Sequence, residues 1–401
     1  MIRFGPAGIP LSCKGRTLRD GIIDMHHIGL TAMEVQFIKV NSAQREVLPE
    51  EVGKLPREIP EHLIVEVQLP GKGGSGAMPE ILDRPLAKRS QVTTLNWFLA
   101  KDYSVLTHAR ALARSVDVRL SMHAPFYVDF LTNPGAADRS RSNYLWSSAI
   151  ASALGVDVMV GHMGFYGPDG PEASLERIIE EMKGVRHWMD SLPGGHKILL
   201  GIEPNGHPEV LGTRQEVLEI ARKVPRSIPV LNIPHIAVRE GTTFEERKDL
   251  EALFEEFRAA TPGDLYLNFS GVMVQGKGSF RMTPIKRGAV KFENVAEVLA
   301  ERNFDATVIS SSPLMEHDAM YMKLLHDRAL AKLFQRRAAK AEAAKVEKAA
   351  KAVKQSAAKA PAKGSAKHAP APKVKPKAGP KAKPAPKKAK GGGSKSHGRQ
   401  R

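Results

Sequence analysis

The feature that most constrains the fold is a regular alternation of short apolar runs with amphipathic helical stretches. Near-continuous Val, Ile and Leu runs, each followed by a helical pattern, indicate parallel strands covered by helices. Eight such units predict a (β/α)₈ TIM barrel of the α/β class rather than an open sheet. The predicted strands are 2–5, 32–37, 118–123, 157–162, 197–203, 228–232, 265–268 and 306–310. The predicted helices are 17–27, 95–115, 138–154, 175–191, 214–223, 243–259, 295–302 and one from near 316.

One segment interrupts this alternation, between the second predicted strand and its helix. Residues 45–92 contain several prolines and the Gly-rich stretch 71–76, and residues 62–69 alternate apolar and polar side chains as an extra strand would. Loops this long in a compact domain are usually functional or disordered. We therefore interpret 45–92 as an insertion over one face of the barrel.

The charge of the chain is concentrated at its C-terminal end. Residues 336–401 contain 21 Lys or Arg against two acids, whereas residues 1–335 carry a net charge of −2. Ala, Lys and Glu predict that the last helix continues to about residue 358. From about residue 360 the Lys, Ala, Pro and Gly composition cannot bury enough apolar surface to fold. The predicted organisation is a barrel at 1–335 and a basic tail at 336–401, disordered from about 360.

Several protein classes are excluded by composition. Cys13 is the only cysteine, so neither an intrachain disulfide nor a multi-cysteine zinc site can form. No apolar run is long enough to span a membrane, and the first residues lack the apolar core of a secretory signal. We expect an intracellular, cytoplasmic protein with no membrane partner, and the sequence predicts no protein partner.

Two glycine motifs resemble nucleotide-binding loops. Residues 71–76 fit GxGxxG, but Ala-Met-Pro follows and no helix pattern begins there, so a flexible loop is the better interpretation. Residues 271–277 resemble a P-loop, but Gly278 replaces the Ser or Thr that would hold magnesium. The stretch from Lys277 through Arg281 to Lys286 is either a phosphate-contacting loop, as is common after the seventh strand of a barrel, or a flexible basic loop.

Polar residues follow four consecutive predicted strands. The third strand ends at His123, the fourth at His162, the fifth at Glu203, and the sixth at Asn232 with His235 just beyond. Strand ends meet at the mouth of a barrel, where active sites lie. A single histidine there is usually structural, but imidazoles and a carboxylate in register are ligands for zinc, manganese or iron. The pattern therefore predicts a metal site.

These segments resemble the endonuclease IV family of apurinic/apyrimidinic (AP) endonucleases, within the xylose-isomerase-like barrel superfamily. The likeness spans roughly residues 1–330 without the insertion. The segments that carry it are Ser121-Met-His-Ala-Pro, Gly161-His-Met-Gly, Gly201-Ile-Glu-Pro-Asn, Leu231-Asn-Ile-Pro-His and Leu265-Tyr-Leu-Asn. The resemblance implies a metal-dependent phosphodiesterase acting on DNA at abasic sites in DNA repair.

The metal-ligand set is degenerate relative to that family, which binds three zinc ions. By the resemblance, His123, His162, Glu203 and His235 match ligands, whereas Asn232 stands in place of Asp and Tyr266 in place of His. Ser310 and the segment 280–282 replace further ligands. Neutral side chains cannot screen the repulsion between closely spaced cations. We therefore expect one or two divalent ions, zinc or alternatively manganese.

The remaining predicted site residues concern the substrate. Glu203 and Arg281 are the expected catalytic residues.

The tail resembles that of linker histones, and its lysines would bind DNA phosphates by releasing counterions. An anionic membrane surface and the absence of any specific partner are the alternatives for the tail. The predicted DNA or substrate contacts are Phe126, Tyr127, Asn232, Tyr266, Lys277 and Lys286.

Two other functions stay open at the sequence level. One is a sugar isomerase or epimerase on the same metal-binding barrel, since barrels support many chemistries. The other is a DNA-binding protein whose active site has decayed. The basic tail favours a nucleic-acid function over the sugar enzyme, which has no evident use for it.

Overall fold

The computed structural model describes residues 1–70, 82–276 and 278–358. A ring of parallel strands lies at the centre of this part of the chain, with helices outside it. The strands are β1 (Ile2–Pro6), β2 (Ala32–Gln36), β3 (Val40–Glu46), β4 (Leu63–Gln68), β5 (Gln91–Trp97), β6 (Arg119–His123), β7 (Val158–Gly161), β8 (Leu199–Ile202), β9 (Ser227–Pro229), β10 (Leu231–Asn232), β11 (Leu265–Phe269), β12 (Gly271–Gly276), β13 (Ser279–Thr283) and β14 (Ala306–Ser310).

Two parallel arcs close into the barrel. One arc has the order β2-β6-β7-β8-β9 and the other β1-β14-β11-β10. A parallel bridge between Ala7 and Glu34 joins the arcs on one side. On the other side only Val230 separates β9 from β10, so these two segments form one barrel position. The predicted (β/α)₈ barrel is confirmed.

Helices lie outside the barrel strands, and the last of them continues past Lys340, where the unit that contains the barrel ends. They are α1 (Leu18–His27), α2 (Tyr103–Ser115), α3 (Pro134–Leu154), α4 (Pro171–Ser191), α5 (Arg214–Lys223), α6 (Ile233–Glu240), α7 (Arg247–Ala259), α8 (Phe292–Arg302) and α9 (Glu316–Ala358). Several begin at a side-chain cap, for example Thr17 before α1 and Asn133 before α3. The short helix α6 was not predicted, because it follows β10 directly with no loop to mark its start.

The insertion is a small antiparallel sheet rather than a loop. Its strand order is β3-β5-β4. The predicted extra strand at 62–69 is confirmed as β4, but the predicted helix at 95–115 is wrong in its first turns. β-branched Thr93 and Thr94 favour the strand β5, and the helix begins only after the cap Asp102, whose side chain accepts from the N–H groups of Ser104 and Val105. The Gly-rich stretch 71–76 lies outside the described residues.

Strand alternation divides the interior of the barrel into layers. An apolar cluster fills the lower part, formed by Ala32, Val158, Val160, Ile228, Val230, Tyr266 and Ile309. Because side chains two residues apart point the same way, the inward residues at the carboxyl ends form the next layer. That layer contains His123, His162 and Glu203. Directly beneath this layer, Ser121, Tyr266 and Glu34 form a buried polar group among the apolar side chains.

Contacts divide the chain into two units, Met1–Lys340 and Ala341–Arg401. In the second unit the described residues are helical to Ala358, with a Glu347–Lys351 ion pair one turn apart at 2.6 Å. The predicted disordered segment lies outside the described residues, and the predicted boundary at 335 stays a prediction. No helix in the described part of the chain has the length and hydropathy needed to cross a membrane.

Candidate metal centre

The carboxyl ends of three neighbouring strands bring two imidazoles and a carboxylate together. His123 ends β6, His162 follows β7 and Glu203 follows β8. Oε2 of Glu203 lies 2.8 Å from Nε2 of His123 and 3.3 Å from Nε2 of His162. All three side chains are buried, and among the described residues they form the one group of His, Cys, Asp or Glu whose ligand atoms all lie within 4.8 Å of one another.

Two amides occupy the other oxygen of Glu203. Asn232 donates from Nδ2 to Oε1 at 2.9 Å, and Asn268 donates from Nδ2 to the same oxygen. The carboxylate therefore faces the two histidines with Oε2 and the two amides with Oε1. The resemblance to endonuclease IV placed Tyr266 at a ligand position. The residue that contacts Glu203 is instead Asn268, two residues later on β11.

Asn232 is fixed by its position at the start of α6. Its Oδ1 accepts a hydrogen bond from the backbone N–H of His235 at 3.2 Å, as an N-cap does. The oxygen of the amide is thereby committed to the helix. Its nitrogen is left to donate to Glu203, so one side chain links the helix start to the carboxylate.

The charges of the cluster are strongly coupled. Although burial opposes it, the hydrogen bond and charge of Glu203 raise the pKa of His123 to about 9, whereas burial lowers the pKa of His162 to about 4. The two histidines in turn hold the pKa of Glu203 well below its usual range, despite its burial. The carboxylate of Glu203 is thus stabilised in its charged form beside the two imidazoles.

The donor set fits a divalent metal. Nδ1–H of His123 donates to the carbonyl oxygen of Ala124 at 2.5 Å, which directs Nε2 at the cluster. Such a hydrogen bond from the distal nitrogen orients a ligating histidine. Two imidazole nitrogens and a carboxylate oxygen leave room for solvent or substrate in a fourth position, as in catalytic zinc sites.

His235 lies beside the cluster but outside it. Its ring is parallel to that of His162, with centroids 5.9 Å apart and an interplanar angle of 7°. Nδ1 lies 3.1 Å from the carbonyl oxygen of Pro204 and 3.3 Å from the N–H of Gly206. Burial lowers the pKa of His235. The structure thus brings together three of the four predicted ligands and leaves His235 as their neighbour.

Comparison with known proteins shows which family shares this architecture. The family described as the xylose isomerase-like TIM barrel matches residues 90–324. The chain belongs to the xylose isomerase-like TIM barrel family. It is also 21% identical over 211 residues to an uncharacterized protein of Methanocaldococcus jannaschii, covering 51% of this chain and 76% of the relative.

Two solved structures that are similar to this chain are an endonuclease and a sugar epimerase. Endonuclease IV from Thermus thermophilus matches with a TM-score of 0.52 and 15% identity, over 82% of this chain and 99% of its own. L-ribulose 3-epimerase matches with a TM-score of 0.48 and 10% identity, over 84% of this chain and 97% of its own. The likeness to endonuclease IV shows that the fold is shared.

The two predicted aromatic contacts lie at the mouth of the xylose isomerase-like barrel. Phe126 stacks on the ring of His123, with centroids 4.4 Å apart and planes 25° apart. It is about half exposed, and the next residue, Tyr127, is 94% exposed. Phe126 therefore combines contact with the cluster and partial exposure, whereas Tyr127 is exposed next to it in the chain.

Tyr266 is placed differently from its predicted role in substrate binding. It is 2% exposed, one layer below the cluster, and its hydroxyl donates to Oε2 of Glu34 at 2.6 Å. Oγ of Ser121 lies 2.6 Å from the same hydroxyl, and Gln36 donates to the other oxygen of Glu34 at 2.8 Å. Tyr266 faces inward two positions before Asn268 on β11. Its side chain therefore lies deeper in the barrel than the mouth.

Sequence reasoning missed Glu34. This carboxyl is buried on β2, and its burial raises its pKa. An acid inside an otherwise apolar predicted strand is the signal that would have identified it, because charged groups are rarely buried without partners. Tyr266 and Gln36 are those partners.

Of the predicted cationic residues that the structure describes, neither Arg281 nor Lys286 contacts the cluster. Arg281 is exposed on β13. Because side chains alternate along a strand, it points away from the neighbouring Phe280, whose ring centroid lies 5.4 Å from that of His235. Nζ of Lys286 lies 4.4 Å from the ring centroid of Tyr321 on α9. Lys277 lies outside the described residues. Any catalytic role of Arg281 would therefore require the β12–β13 hairpin to move or substrate to extend over it.

Proposed function

We propose that this protein is a metal-dependent phosphodiesterase of the endonuclease IV type, acting on DNA at abasic sites. The observation that carries the proposal is the buried His123, His162 and Glu203 cluster at the barrel mouth. A divalent ion held by such residues can activate water for hydrolysis, and the partly exposed Phe126 lies beside the same cluster.

The residues of the chain divide the work at this site. A bound divalent ion, zinc or alternatively manganese, would polarise the phosphodiester and acidify a water molecule. Glu203 and the two histidines hold the ion, with the Ala124 carbonyl fixing the His123 ring. Buried side chains, among them Val160 and Tyr266, fill the barrel beneath the cluster. Phe126 and Tyr127 would stack against bases beside the gap that an abasic nucleotide leaves.

The basic tail supports DNA as the substrate. Its net charge of +19 contrasts with the net −2 of residues 1–335. Each lysine or arginine that neutralises a phosphate contributes affinity that does not depend on sequence. We propose that the tail retains the enzyme on DNA inside the cell while the barrel mouth selects the lesion.

A sugar isomerase or epimerase is the second candidate. The observation that favours it is the position of Arg281 and Lys286, neither of which points into the cluster. A phosphodiester carries a negative charge, whereas a neutral sugar carbonyl needs only a polarising ion and hydrogen-bonding groups. The amides of Asn232 and Asn268 lie next to Glu203 and offer such groups.

The decisive assay measures metal content and cleavage together. The full-length protein, loaded with zinc or manganese, is incubated with duplex oligonucleotides that contain one abasic site, and with ketose and aldose sugars in parallel. We expect strand cleavage at the abasic site, and loss of both bound metal and cleavage in His162→Ala. The matched control is His187→Ala, an exposed histidine on α4.

Each outcome of that assay identifies one function. Sugar turnover without strand cleavage would replace the proposal with the isomerase or epimerase. Metal binding with neither reaction, together with retained affinity for DNA, would indicate the decayed DNA-binding protein. Cleavage that persists at the wild-type rate in His162→Ala would show that the cluster is not the catalytic centre.

A further inference from the structure

The two amides beside Glu203 bear on how many metal ions the centre can hold. An ionised carboxylate has two oxygens with about four lone-pair sites in total. Asn232 and Asn268 both direct an N–H group at Oε1, so the lone pairs of that oxygen are occupied. Oε2 keeps its lone pairs and is the oxygen that faces His123 and His162.

The orientation of both amides follows from their partners. Oδ1 of Asn232 accepts from the backbone N–H of His235, so Nδ2 must face Glu203. Asn268 meets a carboxylate oxygen that can only accept, so Nδ2 must face it too, and its own Oδ1 has no hydrogen-bond partner in the structure. Both side chains are 3% exposed, which leaves them little freedom to turn away.

We propose that Asn232 and Asn268 restrict this centre to a single divalent ion, and that a carboxylate at these positions converts it into a two-ion centre. A cation cannot bind Oε1 against two N–H donors, so Glu203 does not bridge two ions through its two oxygens. A second ion on Oε2 would compete with the first for the same two imidazoles. The inference rests on the metal centre of the proposed function.

The substitution that tests this is nearly isosteric. Asn232→Asp keeps an oxygen to accept from the His235 N–H, so the start of α6 is preserved. It replaces the N–H donor by a second anion about 3 Å from Oε1, a distance at which like charges repel in a buried site. Asn268→Asp does the same from β11. A second cation between these oxygens removes the repulsion, and His235 is nearby to supply an imidazole.

The experiment measures zinc per chain in the untagged full-length protein after equilibration with buffered zinc. We expect one ion in the wild type and two in the Asn232→Asp/Asn268→Asp double variant. Asn133→Asp is the control, because it makes the same Asn-to-Asp change, with one added negative charge, at the exposed N-cap of α3, where either residue serves. This control should hold one ion. Its zinc content also gives the baseline for zinc that binds to surface histidines.

Thermal melting with and without zinc gives a second reading. Zinc should raise the melting temperature of the double variant more than that of the wild type. The reason is that, without metal, the introduced carboxylates repel Glu203. Two tightly bound ions in the wild type, or a folded double variant that holds only one, would overturn the inference. No bound ion in the wild type would instead refute the metal centre of the proposed function.

Discussion

At the residue scale, the site is a stack of two polar layers built by strand alternation. His123 and Glu203 belong to the upper layer, and Ser121 and Tyr266 to the layer beneath it. Hydrogen bonds satisfy most of these buried groups, which is what makes their burial tolerable. The side chains of the lower layer are buried, so we expect them to contribute to the stability of the barrel.

The hydroxyl of Tyr266 should therefore matter for folding and not for metal binding. In Tyr266→Phe, Oε2 of Glu34 loses its donor while remaining buried. An unsatisfied buried acceptor costs about 1–3 kcal/mol, so we expect the free energy of unfolding to fall by about that amount in urea titrations. Bound zinc should be unchanged, and the exposed Tyr127→Phe should unfold like the wild type. A large loss of zinc in Tyr266→Phe would show that the two layers are coupled.

At the element scale, the ends of the strands determine what the mouth contains. The eight barrel strands could be predicted because their apolar runs are continuous and each precedes a helix. His123, His162 and Glu203 could be predicted because they end such runs. The strands of the insertion were harder to predict, since β3 is polar and exposed and β5 merges into the helical pattern that follows.

The contacts of Asn268 and Glu34 could not be identified from the sequence pattern for a physical reason. Asn268 and Tyr266 are both inward on β11, and only the depth of each position in the barrel decides which one reaches Glu203. Depth depends on the stagger of neighbouring strands, which hydrophobic periodicity does not report. Glu34 likewise gained its partners from β2 and β11, elements far apart in the chain.

The start of α9 provides a test at the element scale. Glu316 is 1% exposed, and its two carboxylate oxygens accept from the N–H groups of Leu11 and Ser12, each at 2.9 Å. These bonds lower the pKa of Glu316 despite its burial. In Glu316→Gln one acceptor becomes a donor that faces an N–H group. We expect the free energy of unfolding at pH 7 to fall by about 1.5–3 kcal/mol, the range for hydrogen bonds to charged groups.

The pH dependence of that loss has a definite sign. Because the folded-state pKa is lowered, the stabilisation is fully present above the unfolded pKa of about 4.3 and is lost as the pH falls through the folded value. The wild type and Glu316→Gln should therefore converge in urea titrations below about pH 4. The exposed Glu293→Gln on α8 is the control. A difference that stays constant down to low pH would exclude the charge of Glu316 as its cause.

At the scale of the whole molecule, the near-neutral barrel and the basic tail should act separately. Residues 1–335 contain the barrel and its core, so we predict that this segment folds without residues 336–401. Its melting temperature should lie within a few degrees of the full-length value. A melting point far below that of the full chain would show that the barrel depends on the tail.

The tail should supply most of the nonspecific affinity for DNA. The logarithm of affinity falls with the logarithm of salt concentration by about 0.9 per neutralised phosphate on duplex DNA. Deleting 336–401 should flatten this slope and weaken binding to undamaged duplex, while preference for an abasic site survives in part. Anisotropy titrations at several salt concentrations separate the two contributions. An unchanged slope after deletion would mean that the tail does not bind DNA and would strengthen the sugar-enzyme alternative.

The central claim is that the cluster at the barrel mouth is a metal centre, and anomalous scattering from zinc-loaded crystals tests it most directly. We predict one strong peak at about 2.0–2.2 Å from Nε2 of His123, Nε2 of His162 and Oε2 of Glu203, with both asparagine amides still on Oε1. A mouth without anomalous density in zinc-saturated crystals, or a peak bound to other residues, would contradict the account.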